Sequence, residues 1–125
     1  EHYGLLRARE ADGRYEAPKP HHSWNTNHLV TNLATFHLQR HSDHHAWPSR
    51  RYQSLRHFED LPQLPSGYFG MFPLAWLPPL WFKVMDPRLL ALPHVQGDLK
   101  RVNICPRARR HIEARYGRPE SVLAG

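Results

Sequence analysis

Leu29, Val30, Leu33, Phe36 and Leu38 recur at close to helical spacing, and the pattern predicts a helix over about residues 26–46. Ser23 or Asn25 supplies its cap and Pro48 ends it. Upstream, residues 1–9 read as the end of a helix entering a polar loop. Asp12-Gly13, Pro18 and Pro20 make residues 10–20 a connector. Residues 47–66, rich in Arg, Gln, Ser and Pro, form an ordered but irregular loop. Residues 67–85 are strongly apolar and aromatic, yet shorter than the ~20 apolar residues that span a bilayer. Gly70, Pro73, Pro78 and Pro79 interrupt them. Tyr68, Phe69, Trp81 and Phe82, flanked by Lys83 and Arg88, fit a segment at a membrane interface or against another helix. A buried core segment accounts for the same pattern. After a Gly97-Asp98 turn, residues 106–116 read as a short basic helix with Pro106 at its start and Gly117 beyond its end. The pattern describes a mainly α chain with long irregular loops.

Composition narrows the partners. The 125 residues suffice for one modest domain. With 40% hydrophobic and 22% charged residues, the chain is neither disordered by composition nor plainly membrane-embedded. A net charge of +6 suits anionic lipid, an acidic protein or nucleic acid. No nucleic-acid motif is present and the arginines are not interleaved with stacking aromatics, so no nucleic-acid partner is expected. Lone Cys105 excludes an internal disulfide and a CxxC metal knuckle. The chain opens at Glu1 without a signal-peptide pattern, and a fragment or processed product is expected.

Of the 11 histidines, seven fall between His21 and His45. On one continuous helix, with about 100° per residue, His37, His41, His44 and His45 share a single face. Such a strip aims several imidazoles at one point or two adjacent points, and imidazole ligates zinc, iron, copper and nickel. Metal binding relieves the crowding of rings that would repel one another if protonated. A solvated histidine face gives the same spacing. Asp43, Gln39 and Arg40 lie where they could orient the rings, and Asp43 reads equally as an exposed acid. His21-His22 fit a surface turn, with metal ligation the less favoured reading.

Several runs resemble the membrane-bound alkane 1-monooxygenase (alkane hydroxylase) family. LQRHSDHHA (38–46) is similar to its last histidine box and EHYGLLR (1–7) to the end of its NYxEHYGL motif. KPHHSWNTNHLVTN (19–32), PSRRYQSLRHFEDLPQLPSGY (48–68) and WFKVMDPRLL (81–90) continue the likeness. It covers residues 1–100 as the C-terminal part of the enzyme domain, leaving 101–125 as a short basic tail. The resemblance implies the cytoplasmic-side portion of a six-helix integral membrane enzyme of the bacterial inner membrane, with two irons held by nine histidines.

Residue by residue, it assigns His41, His44 and His45 to the final box and His2 to the EHYG ligand. His37 is placed beside the metals. Glu1, adjacent to His2, reads as a carboxylate that orients a ligand or bridges through water, and equally as an exposed helix-end acid. The family's HExxH and HxxxHH boxes are absent from the sequence, so five expected ligands would lie upstream. The implied reaction is terminal hydroxylation of medium- to long-chain n-alkanes with O2 and electrons from rubredoxin. Arg50, Arg51 and Arg56 are candidate docking residues for that acidic donor, with helix capping or a solvated charge run as the alternative. A related membrane di-iron hydroxylase or desaturase, and a non-enzymatic histidine-rich metal-binding module, are the competing readings.

Overall fold

A helical hairpin forms the centre of the fold in the computed structural model, which describes residues 1–117. Its arms are α3 (Tyr68–Ala75) and α4 (Pro78–Leu90). They are separate because the apolar stretch contains its own breaks. Pro78 and Pro79 lack amide donors, which the first turn of a helix does not need, so α4 begins there, whereas Gly70 and Pro73 lie within α3 and do not interrupt it, and Pro87 lies within α4. Trp76 and Leu77 make the corner. The other helices are α1 (Leu29–Ala34), α2 (His41–Ala46) and α5 (Arg109–Tyr116), with short 3-10 turns at Pro20–His22, Tyr52–Ser54, Leu99–Arg101 and Pro106–Ala108.

The described residues include no β-strand, and isolated bridges join both neighbouring and distant segments instead. Leu5 pairs with Val102, Arg9 with Tyr15, and Asn25 with Gln63. The mainly α expectation therefore holds for the described residues. The N-terminal segment departs from it: residues 1–9 form turns and bridges rather than a helix end. The amide of Asn103 donates to the Gly4 carbonyl at 2.9 Å, and that of Trp24 to the Glu1 carbonyl at 2.7 Å. These cross-chain bonds satisfy backbone groups that a helix would have paired internally. The expected turns at 12–13 and 97–98 are present, with Gly13 and Gly97 at φ 82° and 75°.

The core brings together Leu5 and Trp24 from the N-terminal region, Met71, Met85 and Leu89 from the hairpin, and Val95 and Val102 beyond it. Full burial of such a side chain stabilises by about 1.5–3 kcal/mol. Gly4 is required here. Its φ is +69°, and a Cβ would lie 2.1 Å from Leu89 Cδ2.

The single helix expected over residues 26–46 is instead two. Thr35 Oγ1 donates back to the Thr31 carbonyl at 2.7 Å, and the His37 amide reaches the Asn32 carbonyl at 2.8 Å. Phe36 and His37 take left-handed φ values of 51° and 59°. That conformation closes α1 and reorients the chain before α2. Leu29, Val30 and Leu33 are left exposed, as are Phe69, Phe72 and Trp76 on the hairpin. No described helix is long and apolar enough to cross a membrane.

Candidate metal centre

Two separate stretches carry the histidines that meet. On α2, His41 and His45 are four residues apart and therefore on one face, with their Nε2 atoms 2.9 Å apart. His2 arrives from the N-terminal segment and places its Nε2 3.2 Å from that of His41.

Residues 22–25 clamp these stretches together. The His22 carbonyl receives His2 Nδ1 at 2.9 Å, and the Trp24 amide holds the Glu1 carbonyl. Asn25 grips the other side: its Oδ1 accepts the Ser42 amide at 2.9 Å, and its Nδ2 lies 2.6 Å from Ser42 Oγ. Trp24 adds an indole hydrogen bond to the Tyr3 carbonyl at 2.8 Å. One four-residue segment thus positions both halves of the cluster.

The hydrogen bonding fixes what His2 offers. A carbonyl only accepts, so His2 Nδ1 carries the proton and Nε2 presents a lone pair to the cluster. Buried His41 is pushed down to about pKa 4, first by desolvation and then by His45 and His2, against the pull of Glu1. His45 is lowered for the same leading reason. Neutral rings are the form that ligates metal.

One proton on His41 Nε2 cannot point along straight lines to His2, His45 and the Glu1 carboxylate together, whereas a single cation between them would meet all of these atoms at once. Two nitrogens each about 2.1 Å from a metal lie about 3.0–3.4 Å apart for right-angled to tetrahedral geometry. The observed 2.9 and 3.2 Å match that separation. The donor set fits a late first-row transition metal. Glu1 completes the surroundings, with Oε2 3.3 Å from His41 Nε2 and Oε1 accepting the Tyr68 hydroxyl at 2.7 Å. Beside His2 and His45 lies a cavity of about 360 Å³ whose wall includes Leu5, Leu6, Tyr15 and Pro18.

The remaining candidates are placed differently. His44 lies next to the cluster, its ring 6.0 Å from that of His41 and 5.6 Å from that of His45, outside the group of three converging nitrogens. His37 is not beside the cluster: the break after α1 turns it toward the Tyr52 carbonyl, 3.2 Å from its Nδ1. Asp43 is fully buried but orients no histidine. It occupies the opposite side of α2, where Arg50 Nη1 donates at 2.7 Å and Arg56 donates through its backbone amide and guanidinium. Burial raises the Asp43 pKa, but the hydrogen bonds of Arg56 and Arg50 and the charge of Arg56 outweigh it and hold the carboxyl below its ordinary range. Both arginines also lie over the Trp47 ring. Arg51 is exposed and takes no part in this clasp. Gln39 and Arg40 likewise bond away from the rings, Gln39 to Thr31, His28 and the Tyr68 amide, Arg40 to Asn27 and the Leu55 carbonyl.

A second group, Glu16 with His21 and His22, has similar composition. Its chemistry differs. His22 Nδ1 accepts the Lys19 amide at 3.0 Å, so the neutral ring carries its proton on Nε2, which faces Glu16 Oε1 at 3.2 Å. Glu16 is further held by Lys19 and by the Ala8 amide. Glu16 is thus committed to an ion-pair network, and the lone pair of His22 Nδ1 is engaged by the Lys19 amide.

Tyr68 and the clamp of residues 22–25 were not among the sequence candidates. One of several aromatics at the start of an apolar stretch and a run of mixed polar residues carry no spacing that signals either role.

No protein-family model matches the chain. It is 55% identical to alkane 1-monooxygenase of Acinetobacter baylyi over 117 residues, covering 94% of this chain and 28% of that protein. It is 64% identical to alkane 1-monooxygenase 2 of Pseudomonas aeruginosa over 91 residues, 73% of this chain and 24% of the relative. A more distant relative is the xylene/toluene monooxygenase hydroxylase component of Pseudomonas putida, 32% identical over 93 residues, 71% of this chain and 23% of that protein. The chain spans about a quarter of the length of these relatives.

Proposed function

Because the chain belongs to the alkane 1-monooxygenase family, we propose that it supplies part of the metal site of an enzyme that converts n-alkanes to 1-alkanols. The carrying observation is the convergence of His2, His41 and His45 from two distant stretches, with one ring nitrogen of each within 4.8 Å of the others and His41 Nε2 3.2 and 2.9 Å from the Nε2 atoms of His2 and His45. His44, next to them on α2, is the fourth proposed ligand. The metal is iron, as a pair whose other ligands belong to the rest of the protein.

When bound, the irons supply oxygen activation and attack on a strong C–H bond. The chain's own residues do the positioning. The His22 carbonyl fixes the His2 tautomer, and such outer partners set ring orientation and ligand basicity. Leu5, Leu6 and Pro18 form the apolar side of a cavity next to His2 and His45 that Arg7, Ser23 and Asn103 also line, and that side is the one suited to a hydrocarbon terminus. Electrons come from rubredoxin, which meets the positive surface at Arg50, Arg51 and Arg56. The exposed apolar faces of α1 and the hairpin are the surfaces that meet lipid or the remaining helices, in a bacterial inner membrane with the site toward the cytoplasm.

The xylene/toluene relative favours one second reading, hydroxylation of an aromatic methyl group. Full-length protein given octane, hexadecane and xylene with oxygen and reduced rubredoxin separates them. The proposal expects 1-octanol and 1-hexadecanol, with iron near two per chain. Preferential oxidation of xylene supports the second reading; one zinc per chain and no product overturns both.

A further inference from the structure

We infer that Tyr68 is a positioning residue that holds the Glu1 carboxylate against the histidine cluster. The inference rests on the metal-binding reading above and names a component that reading does not use.

Tyr68 is buried although it begins α3, at the edge of the apolar stretch. A core aromatic needs no hydroxyl, and a buried hydroxyl without a partner is destabilising. Here both polar ends of the residue are committed. The backbone amide donates to Gln39 Oε1 at 2.9 Å, and the hydroxyl donates to Glu1 Oε1 at 2.7 Å across 67 residues of sequence. Gln39 is itself completely buried, and its Oε1 also receives the Thr31 hydroxyl at 2.6 Å. Its Nε2 donates to the His28 carbonyl at 3.2 Å. The amide of Tyr68 is therefore fixed to the turn that leads into α2, two residues before His41.

The geometry forms a relay of position. Gln39 sets the start of α3, Tyr68 sets one oxygen of Glu1, and the other oxygen of Glu1 lies 3.3 Å from His41 Nε2. Glu1 has its side chain more than a third exposed, so packing alone does not fix its rotamer. A carboxylate left to rotate would offer its charge to the cluster for only part of the time. Held by a neutral phenol, it presents one oxygen to the rings while the other is satisfied. Tyrosine suits this task because burial and the adjacent carboxylate both push its pKa upward, keeping the hydroxyl a donor.

The experiment uses full-length, iron-loaded protein with the single variants Tyr68→Phe and Glu1→Gln and their combination. Iron retention against a chelator and the Mössbauer parameters of the site are read alongside turnover. Tyr68→Phe keeps the ring and its packing, so a purely structural tyrosine leaves the spectrum unchanged. The expected result is a shifted Mössbauer signature and iron affinity lower by on the order of 10-fold, the scale of lost outer-shell partners. Glu1→Gln shifts both in the same direction, and the double variant is no worse than the more impaired single. Unchanged spectrum and affinity in Tyr68→Phe, with iron still bound by the wild type, overturn this inference alone. Additive losses in the double variant overturn it too. A wild-type protein that retains no iron overturns the metal reading and this inference together.

Discussion

Two histidine–carboxylate groups among the described residues have nearly the same composition and opposite chemistry. Glu1, His2, His41 and His45 form one; Glu16, His21 and His22 form the other. What separates them is the partner of a single ring nitrogen. His2 Nδ1 meets a carbonyl and must donate, which leaves Nε2 with a lone pair. His22 Nδ1 meets an amide and must accept, which leaves Nε2 with a proton. A list of potential ligands within reach does not make that distinction; the backbone does. The carboxylates differ in parallel, since Glu16 is taken up by Lys19 and Ala8 whereas Glu1 keeps one oxygen toward the rings.

The strongest way to break the contrast is to remove a ligand from each group in the full-length protein. His41→Ala is expected to lower iron affinity by 100-fold or more, measured by metal content after chelator competition, because it removes the nitrogen nearest both neighbours (about the upper range for losing even an outer partner). Retention of iron at the wild-type level would equate the two groups and remove the basis of the comparison.

Next in size is an effect on stability rather than metal. Asp43→Ala is expected to lower unfolding stability by about 3 kcal/mol, read from the denaturant midpoint, since Arg50 and Arg56 lose a buried partner on the reverse side of α2. The iron signature of the folded fraction should survive, because Asp43 touches no ligand ring. A spectrum altered as strongly as in Glu1→Gln would restore Asp43 as an orienting residue.

These expectations show where the sequence was informative. The chemistry of α2 was legible: His41 and His45 share a face because of their spacing, and the break upstream does not affect that. The continuity of residues 26–46 was not, because Phe36 and His37 sit in left-handed conformations that no glycine announces. The apolar periodicity of Leu29, Val30 and Leu33 continued through a point where the backbone turns, and those residues are exposed rather than packed. Asp43 was misjudged for a related reason. Adjacent in sequence to His44, it projects about 100° away around the helix, toward two arginines that arrive from the following loop. Nor does any sequence period show that residues 22–25 reach both Glu1 and Ser42, since that clamp consists of backbone groups and one asparagine.

A smaller effect is expected at the surface. Arg50 and Arg56 hold Asp43, so changing them mixes structure with docking; Arg51 does not. Arg51→Glu should slow rubredoxin-driven turnover by roughly 3- to 10-fold at low ionic strength, with the difference shrinking as salt is added. Equal rates at all salt concentrations would leave the arginines to α2 alone. The smallest effect belongs to the second histidine group. His21→Ala and Glu16→Gln should leave iron content within about 2-fold of wild type, well below the loss expected from even an outer-shell partner.

The central claim is that the Nε2 atoms of His2, His41 and His45 share one metal, and the direct measurement is the position of iron in an experimental structure of the metal-loaded full-length protein, identified by its anomalous signal. The account predicts a peak about 2.1 Å from all three nitrogens. A peak between Glu16, His21 and His22, or an iron bound while those three rings point apart, would contradict it.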